Sequence, residues 1–183
     1  MMTATQIIPV LFMTNSEYGQ ANVVLATALE VARNPAYSVH FAAFAKTKSR
    51  IVAINEECKF IASPIKFHEI KGPSLEDLLT RVTSGVTSCT HPPGFWPAIK
   101  SYRLFCKGLL SWEPQEYVET VRSCLQIIRK VKPASLIIEN ALVWARDAAR
   151  TLGIELQVMA PCGPKEIVGP QLPGFPNMLR WPM

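Results

Sequence analysis

Short apolar runs alternate along the chain with longer segments in which apolar residues recur every three or four positions. The first run, 7–13, is nearly continuous, which is typical of a strand buried on both faces of a parallel sheet. Pro9 lacks the amide that a strand ladder needs, so we expect this strand to begin near Val10 or to bulge at the proline. Further strands are predicted at 38–44, 65–70, 135–138 and 154–159.

The segments between the strands carry helical spacing and helical end signals. Ser74-Leu75-Glu76-Asp77 has the pattern of a capping box, and Thr47 is a candidate N-cap for the helix that follows it. Pro114 suits the first turn of a later helix. The apolar face of that helix is formed by Tyr117, Val121, Leu125 and Ile128. Other helices are predicted at 20–33, 48–57, 97–110 and 143–152, the last ended by Gly153.

The alternation of strands with helices predicts the class of fold. It is typical of an α/β domain with a parallel sheet and helices on both faces. The pattern stops after Met159, and six of the fifteen prolines lie between Pro161 and Pro182. We therefore expect residues 161–183 to form an extended, proline-rich segment.

Composition and charge narrow the class of protein. The 183 residues are 49% hydrophobic and 18% charged, which is too apolar for a disordered chain and too charged for a membrane bundle. Nineteen basic and fourteen acidic residues give a net charge of +5. The longest basic cluster, 129–132, falls at a predicted helix end, where cations complement the helix dipole. A nucleic-acid partner is therefore not expected.

The cysteines and the hydropathy pattern indicate the cellular compartment in which the chain is expected. None of the five cysteines forms a C-x-x-C pair, so we expect free thiols and no metal site. No apolar run is long enough to span a bilayer or to form a signal peptide. We expect a cytoplasmic protein without a transmembrane segment.

The turns after the strands are where an open α/β sheet places its ligands. The first such turn, 15–22, contains one glycine, Gly19, and so lacks the G-x-G-x-x-G fingerprint of dinucleotide binding. It opens a helix whose free amides favour a polar or anionic ligand, or else it is an ordinary turn in which Gly19 supplies an unusual backbone angle. Glu139 and Asn140 follow the strand at 135–138. There, a carboxylate serves as a base or an orienting group, or it complements a helix dipole.

Histidines and aromatic residues offer weaker candidates. His40 and His68 lie within predicted strands and are interpreted as structural, and His91 lies in a loop without a predicted partner. Aromatic residues are concentrated between Phe95 and Tyr117. They indicate either the packing of two helices or an apolar wall around a hydrophobic ligand.

Five segments, in order along nearly the whole chain, share the pattern of a known enzyme family. The most specific is 11–23, LFMTNSEYGQANV. The others are 39–44, VHFAAF; 131–139, VKPASLIIE; 147–154, DAARTLGI; and the stretch 171–182. Together they resemble the N-terminal, acceptor-side portion of fungal UDP-glycosyltransferases, which are family 1 glycosyltransferases.

The resemblance implies a GT-B fold, in which two Rossmann-like domains face each other across a cleft. The N-terminal domain holds the acceptor and the C-terminal domain holds the UDP-sugar, which is a co-substrate, and no cofactor is implied for this chain. The reaction moves a hexose, with inversion, to a hydroxyl of a hydrophobic small molecule such as a sterol, lipid or secondary metabolite. In many members, the base is a histidine directly after a glycine in the first turn, and an aspartate after the fourth strand orients it.

The chain departs from the family at both catalytic positions. Gln20 follows Gly19 where the family has histidine, and Glu139 occupies the place of the aspartate. Glutamine does not accept a proton at neutral pH, so Glu139 and Glu17 are alternative candidates for the base. Acceptor contacts are expected from six residues: Tyr18, Gly19, Asn22, Phe95, Trp96 and Asn140.

The nucleotide-sugar signature of the family, a Trp-, His- and Gly-rich stretch, does not occur in the 183 residues. We therefore expect 1–160 to form an incomplete acceptor-side domain, followed by the extended segment 161–183, with the C-terminal donor domain absent. The chain is expected to be inactive alone, either as a truncated product or as half of an enzyme with a separate donor-binding chain. The alternative is a non-catalytic small-molecule-binding or regulatory protein, which Gln20 favours.

Overall fold

A five-stranded parallel sheet forms the centre of the fold in the computed structural model, which describes residues 7–82 and 92–161. The strands are β1 (Ile8–Met13), β2 (Tyr37–Ala43), β3 (Lys66–Glu69), β4 (Ser135–Glu139) and β5 (Gln157–Met159). Their order across the sheet is β3-β2-β1-β4-β5, and every neighbouring pair is parallel. The predicted α/β class is confirmed, and the order is that of the first five strands of a doubly wound Rossmann sheet.

Helices cover both faces of the sheet, as predicted. Their bounds are α1 (Tyr18–Ala32), α2 (Lys48–Glu57), α3 (Leu75–Val82), α4 (Phe95–Leu109), α5 (Pro114–Val131) and α6 (Val143–Thr151). On one face, α1 and α2 bury side chains such as Val24 and Ile51 against the sheet. On the other face, α3, α5 and α6 do the same with Leu78, Ile128 and Trp144. Among the described helices, none has the length and apolar composition needed to cross a bilayer.

Pro9 is part of β1, and the expectation of a later start or a bulge was wrong. The amides of Ile8 and Thr14 donate to carbonyls on the β2 side of the strand, so the amides at even positions face β2. The nitrogen of Pro9 therefore faces β4, where strand pairing begins only at Val10. Because the proline lies beyond the end of that ladder, no hydrogen bond is lost.

Most helix ends follow their local sequence signals. Ser74 and Asp77 form the predicted capping box, in which the Asp77 amide donates to Ser74 Oγ (3.2 Å) and the Ser74 amide donates to Asp77 Oδ2 (2.9 Å). Pro114 occupies the first turn of α5, as expected. Thr47 does not cap α2, because it ends a 3-10 turn and has helical rather than extended backbone angles. Its hydroxyl donates to Ser16 Oγ (3.2 Å).

Besides the start of β1, three element boundaries differ from the sequence prediction by two residues or more. Helices α1 and α4 each begin two residues earlier than predicted, at Tyr18 and Phe95. Strand β5 begins at Gln157, three residues later than predicted. The reason is that the Ile154 amide closes a Schellman motif at the end of α6 by donating to the Ala149 carbonyl (3.1 Å), so the chain reaches the sheet only beyond it.

Gly72, between β3 and α3, allows a close approach to α5. Its φ is 121°, and a Cβ at this position would lie 1.9 Å from Thr120 Oγ1. We expect Gly72→Ala to lower the free energy of unfolding by about 2–6 kcal/mol, the sum of backbone strain and overpacking.

Gly153→Ala is the matched control. Gly153 has a φ of 63°, but an added Cβ there would meet no atom within 4 Å, so we expect a loss of about 1–2 kcal/mol from the backbone alone. Urea unfolding of the chain and both variants measures the difference. Equal losses would contradict the close contact between Gly72 and Thr120.

Candidate functional site

The carboxyl ends of β1 and β4 lie side by side at the point where the strand order reverses. The chain leaves β1 toward β2 on one side and leaves β4 toward β5 on the other, so a crevice opens between the two turns. Asn15, just after β1, and Glu139, at the end of β4, meet there: Asn15 Nδ2 donates to Glu139 Oε2 at 2.8 Å. Both side chains are fully buried. Glu139 therefore lies where its sequence position indicates.

Glu139 is arranged to hold its neighbours in place. Its Oε1 accepts a hydrogen bond from the Ala141 amide (2.7 Å), while Oε2 accepts from Asn15. Burial raises the pKa of the Glu139 carboxyl, and these hydrogen bonds oppose that rise only in part. Because both oxygens are engaged, Glu139 fixes the orientation of Asn15 rather than presenting a free carboxylate.

Glu17 presents a carboxylate that is only half engaged. It precedes α1, and its Oε1 accepts the Glu76 amide (3.0 Å) at the start of α3. The second oxygen, Oε2, is buried and has no hydrogen-bond partner among the described residues. Burial raises the pKa of the Glu17 carboxyl, and the nearby negative charges of Glu139 and Glu76 contribute in the same direction.

Four polar atoms on the turn between β1 and α1 are buried and unpaired among the described residues. They are Thr14 Oγ1, Asn15 Oδ1, Glu17 Oε2 and Gln20 Oε1. An unpaired buried polar atom costs about 1–3 kcal/mol, and native proteins contain few of them. Four on one seven-residue stretch, at the switch point of the sheet, indicate a surface formed to meet a hydroxyl-bearing or otherwise polar ligand. We call these four residues the polar turn.

Arg50 lies beside the exposed first turn of α1. Its guanidinium lies 4.6 Å from the centre of the Tyr18 ring, which is 70% exposed, and its Nη2 donates to Asn22 Oδ1. Gly19 lies within α1 and has no positive φ, so the alternative in which it supplies an unusual turn angle was wrong. Asn22 and Tyr18 thus flank the polar turn on its solvent side.

The remaining expected acceptor contacts lie on other elements. Asn140 follows Glu139 directly, and its amide donates to the Met159 carbonyl (2.9 Å), so it joins the β4 and β5 ends of the same edge. Phe95 and Trp96 begin α4, contact each other edge to face, and are 55% and 76% exposed. Their role in acceptor binding stays a prediction.

The aromatic residues nearer the core follow the helix-packing interpretation. Trp112 and Tyr117 both pack edge-on or tilted against the buried ring of Trp144 on α6, with centroids 4.6 Å and 6.4 Å away. Burial and the neighbouring Asp147, whose carboxylate accepts the Tyr117 hydroxyl, raise the pKa of Tyr117 to about 12. These rings fasten α5 to α6 beneath the turn that follows β4.

The two histidines of the sheet contact each other. His40 Nδ1 and His68 Nε2 are 2.8 Å apart, and their rings are stacked. Burial, with the charges of His68 and Lys66 nearby, lowers the pKa of His40 to about 4, so His40 is neutral at physiological pH. Burial lowers the pKa of His68 as well. Both lie within strands rather than in the turns that follow them, which agrees with a structural role.

Over residues 7–82 and 92–161, no group of three or more His, Cys, Asp or Glu side chains converges in a way that could hold a metal ion. Cys58, Cys106 and Cys124 are free thiols. His91, Cys89 and the segment 162–183 lie outside the described residues.

Sequence reasoning missed Asn15 and Arg50. Asn15 is the first amide after a buried strand, which was an available signal, but its partner Glu139 lies 124 positions away. Arg50 gave no local signal, because its contact with Tyr18 exists only once α2 packs beside α1.

Comparison with known proteins agrees with this geometry. No family model matches the chain. It is 31% identical over 166 residues to the glycosyltransferase sdnJ of Sordaria araneosa, a match that covers 83% of this chain and 31% of that protein.

Solved structures give the same result at the level of fold. The glycosyltransferase SsfS6 of Streptomyces sp. SF2575 superposes with a TM-score of 0.52 and 18% identity, over 84% of this chain and 39% of that one. UGT2 of Phytolacca americana, complexed with UDP-2fluoro-glucose and pterostilbene, gives a TM-score of 0.50 and 11% identity, over 85% and 30%.

The sheet order is that of a Rossmann-like domain, and the superpositions show that it has the fold of such a domain in GT-B glycosyltransferases. By sequence and fold, the chain belongs with the glycosyltransferases of the GT-B fold, as the resemblance predicted. It spans about a third of the length of the relatives it matches.

The buried Glu139 carboxyl makes stability depend on pH in a defined direction. Its pKa is raised above the ordinary value of 4.5, so the folded state binds the proton more readily than the unfolded state. The free energy of unfolding is therefore expected to fall as pH rises from about 4.5 through the raised pKa, and this loss is complete above it. Glu139→Gln removes this titration and should flatten that part of the pH profile.

The matched control is Glu119→Gln, at an exposed position on α5. Urea unfolding of the chain and both variants, at pH values from about 4 to 8, gives the difference profiles. The free energy of unfolding of the chain minus that of Glu139→Gln should decline as pH rises. The Glu119→Gln variant gives the effect of exchanging an exposed carboxyl for an amide elsewhere on the chain. A rising Glu139 difference would mean that hydrogen bonding, and not burial, dominates this carboxyl.

Proposed function

We propose that the chain supplies the acceptor-binding side of a UDP-sugar-dependent glycosyl transfer. The acceptor is a hydrophobic small molecule whose hydroxyl enters the crevice between β1 and β4. The polar turn carries this proposal, because its four unpaired atoms lie at the edge of the sheet where α/β folds bind ligands. The proteins sdnJ and SsfS6 are glycosyltransferases, and the similar structure of UGT2 is complexed with UDP-2fluoro-glucose and pterostilbene.

Glu17 is the base in this proposal, and Glu139 is a positioning residue. Glu17 has one buried carboxylate oxygen without a partner and a raised pKa, which makes it a stronger base than an exposed glutamate. Both carboxylate oxygens of Glu139 already accept hydrogen bonds, one from the Asn15 side chain and one from the Ala141 backbone amide. Gln20, at the place of the family's histidine, contributes a buried amide oxygen that accepts a hydrogen bond from a polar group of the acceptor other than the reacting hydroxyl.

The transfer step follows from this assignment. The acceptor hydroxyl gives its proton to Glu17 while its oxygen forms a bond to the anomeric carbon of the sugar. The bond from that carbon to the β-phosphate oxygen breaks, and UDP leaves with the electron pair. The donor is held by a domain or a separate chain that completes the cleft, so a chain of these 183 residues is proposed to bind the acceptor without transferring sugar.

A non-catalytic binding or regulatory protein is the second candidate. Gln20 favours it, since an amide in place of a histidine removes the family's usual base while its buried Oε1 keeps the capacity to bind a hydroxyl. The two candidates share the acceptor site and differ in whether a donor is ever engaged.

Removing unpaired polar atoms should separate stability from ligand binding. Thr14→Val and Gln20→Leu delete buried atoms that have no hydrogen-bond partner among the described residues, so each is expected to raise the free energy of unfolding by about 1 kcal/mol. The same changes should abolish the rise in Tm that a hydrophobic alcohol produces in the unaltered chain.

Thr120→Val is the control for the deleted hydroxyl. Thr120 is equally buried, but its Oγ1 donates to the Glu116 carbonyl at 2.9 Å, so this change should lower stability and leave the ligand-induced shift intact. If Thr14→Val and Thr120→Val destabilise the chain alike, the polar turn is not an unsatisfied site.

Donor engagement distinguishes the two candidate functions. We expect the isolated chain to show a thermal shift with hydrophobic alcohols, none with UDP-glucose, and no sugar transfer when both are supplied. Addition of a donor-binding domain from a relative should restore transfer, with Glu17→Gln slower by about 10²–10⁴-fold. Sugar transfer by the chain alone would contradict the proposal that the donor is held by another domain or chain. Unchanged transfer by the Glu17→Gln variant would contradict the assignment of Glu17 as the base.

A further inference from the structure

Helix α4 has one face against the protein and one face against solvent. Gly108 lies on the covered face, so close to α3 that a Cβ there would come within 2.7 Å of Leu79 Cδ2. The opposite face carries large apolar side chains that no described residue covers. Phe95, Tyr102 and Trp96 are 55%, 53% and 76% exposed, which is unusual for side chains of this size.

Two parallel stripes run along this exposed face. The first, which we call the apolar stripe, follows the spacing i, i+4, i+7, i+11 and consists of Phe95, Ile99, Tyr102 and Cys106. Phe95 and Tyr102 are exposed, while Ile99 and Cys106 are half-buried. The second, the basic stripe, has the same spacing one residue later and consists of Trp96, Lys100, Arg103 and Lys107. At 100° per residue the two stripes are neighbours on the helix surface. Leu110, which follows the helix, is 70% exposed and extends the apolar side.

The charges of the basic stripe are uncompensated. Helix α4 contains three cations and no acidic residue, and none of the three forms an ion pair with a described residue. By contrast, Lys46 pairs with Glu76 (3.0 Å) and Arg81 pairs with Glu116 (2.7 Å) on the adjoining helices α3 and α5. The exposed face therefore complements a partner that is apolar and anionic at once.

We propose that α4 binds the surface of an anionic lipid membrane, lying parallel to the bilayer. A helix with an apolar stripe beside a Lys/Arg stripe and a tryptophan at their border has the composition of an interfacial helix. The apolar stripe enters the boundary between headgroups and acyl chains, and the three cations meet lipid phosphates and carboxylates. This interaction gives the chain a second partner surface that is independent of the polar turn.

Vesicle co-sedimentation tests the charge requirement. The 183-residue chain should bind phosphatidylcholine vesicles that contain phosphatidylserine, bind pure phosphatidylcholine far more weakly, and lose binding as salt is raised. The triple variant Lys100→Gln, Arg103→Gln and Lys107→Gln should lose on the order of 100-fold in partition coefficient, from about fivefold per cation. The matched control, Lys48→Gln, Arg122→Gln and Arg129→Gln, removes the same charge from exposed positions on α2 and α5 and should retain most of the binding.

Quenching by lipids with brominated acyl chains tests the depth of the helix. Tryptophan fluorescence of the bound chain should be quenched, and Trp96→Phe should remove most of that quenching while the chain still co-sediments. Three outcomes would overturn the proposal: equal binding by the two triple variants, binding without quenching, and no binding to anionic vesicles. A fourth contradicting outcome comes from sedimentation equilibrium without lipid. If the chain forms a dimer, and Trp96→Ser dissociates it, this face of α4 binds a second copy of the chain and not a membrane.

Discussion

The hydrogen bond between Asn15 and Glu139 joins the ends of two strands at the switch point, and the candidate site depends on it. A buried carboxylate is costly in a protein interior unless it is hydrogen-bonded. The Ala141 amide and Asn15 Nδ2 meet that requirement for Glu139. The same bond fixes the Asn15 amide, so its other end, Oδ1, is held without a partner at the edge of the crevice.

Four of the six buried side-chain polar atoms that lack a partner among the described residues lie on the polar turn, and the other two are Arg50 Nη1 and Trp144 Nε1. The two apolar cores on either face of the sheet offset the cost of these unpaired atoms, since the side chains of the cores are almost completely buried. A free energy penalty retained in this way is common at functional sites, where stability is exchanged for activity. The two carboxylates differ in how many of their oxygens accept hydrogen bonds. Both oxygens of Glu139 do, so it positions its neighbours, whereas only Oε1 of Glu17 does among the described residues.

The sequence predicts features that depend on local chemistry. The alternation of apolar runs with amphipathic segments is enough for the sheet and its two helical layers, and the Ser74–Asp77 capping box needs only four residues. Features that depend on distant partners were missed. The tolerance of Pro9 depends on where β4 stops pairing, the Thr47 hydroxyl is taken by Ser16, and the role of Asn15 requires a residue from β4. Glu139 could be found because it ends a recognisable strand, whereas Arg50 could not.

Chemical-shift mapping of the side-chain amides tests the account most directly. The ¹⁵N-labelled chain would be titrated with a hydrophobic alcohol while the amide groups of Asn15 and Gln20, and the backbone amides of residues 14–20, are followed. If the polar turn is the acceptor site, the signals of both side-chain amides shift as the alcohol is added and reach a plateau. Glu139→Gln should then reduce the shift change of the Asn15 amide more than that of the Gln20 amide. Shifts confined to Phe95–Leu109, with the turn unchanged, would contradict an acceptor site at the carboxyl ends of β1 and β4.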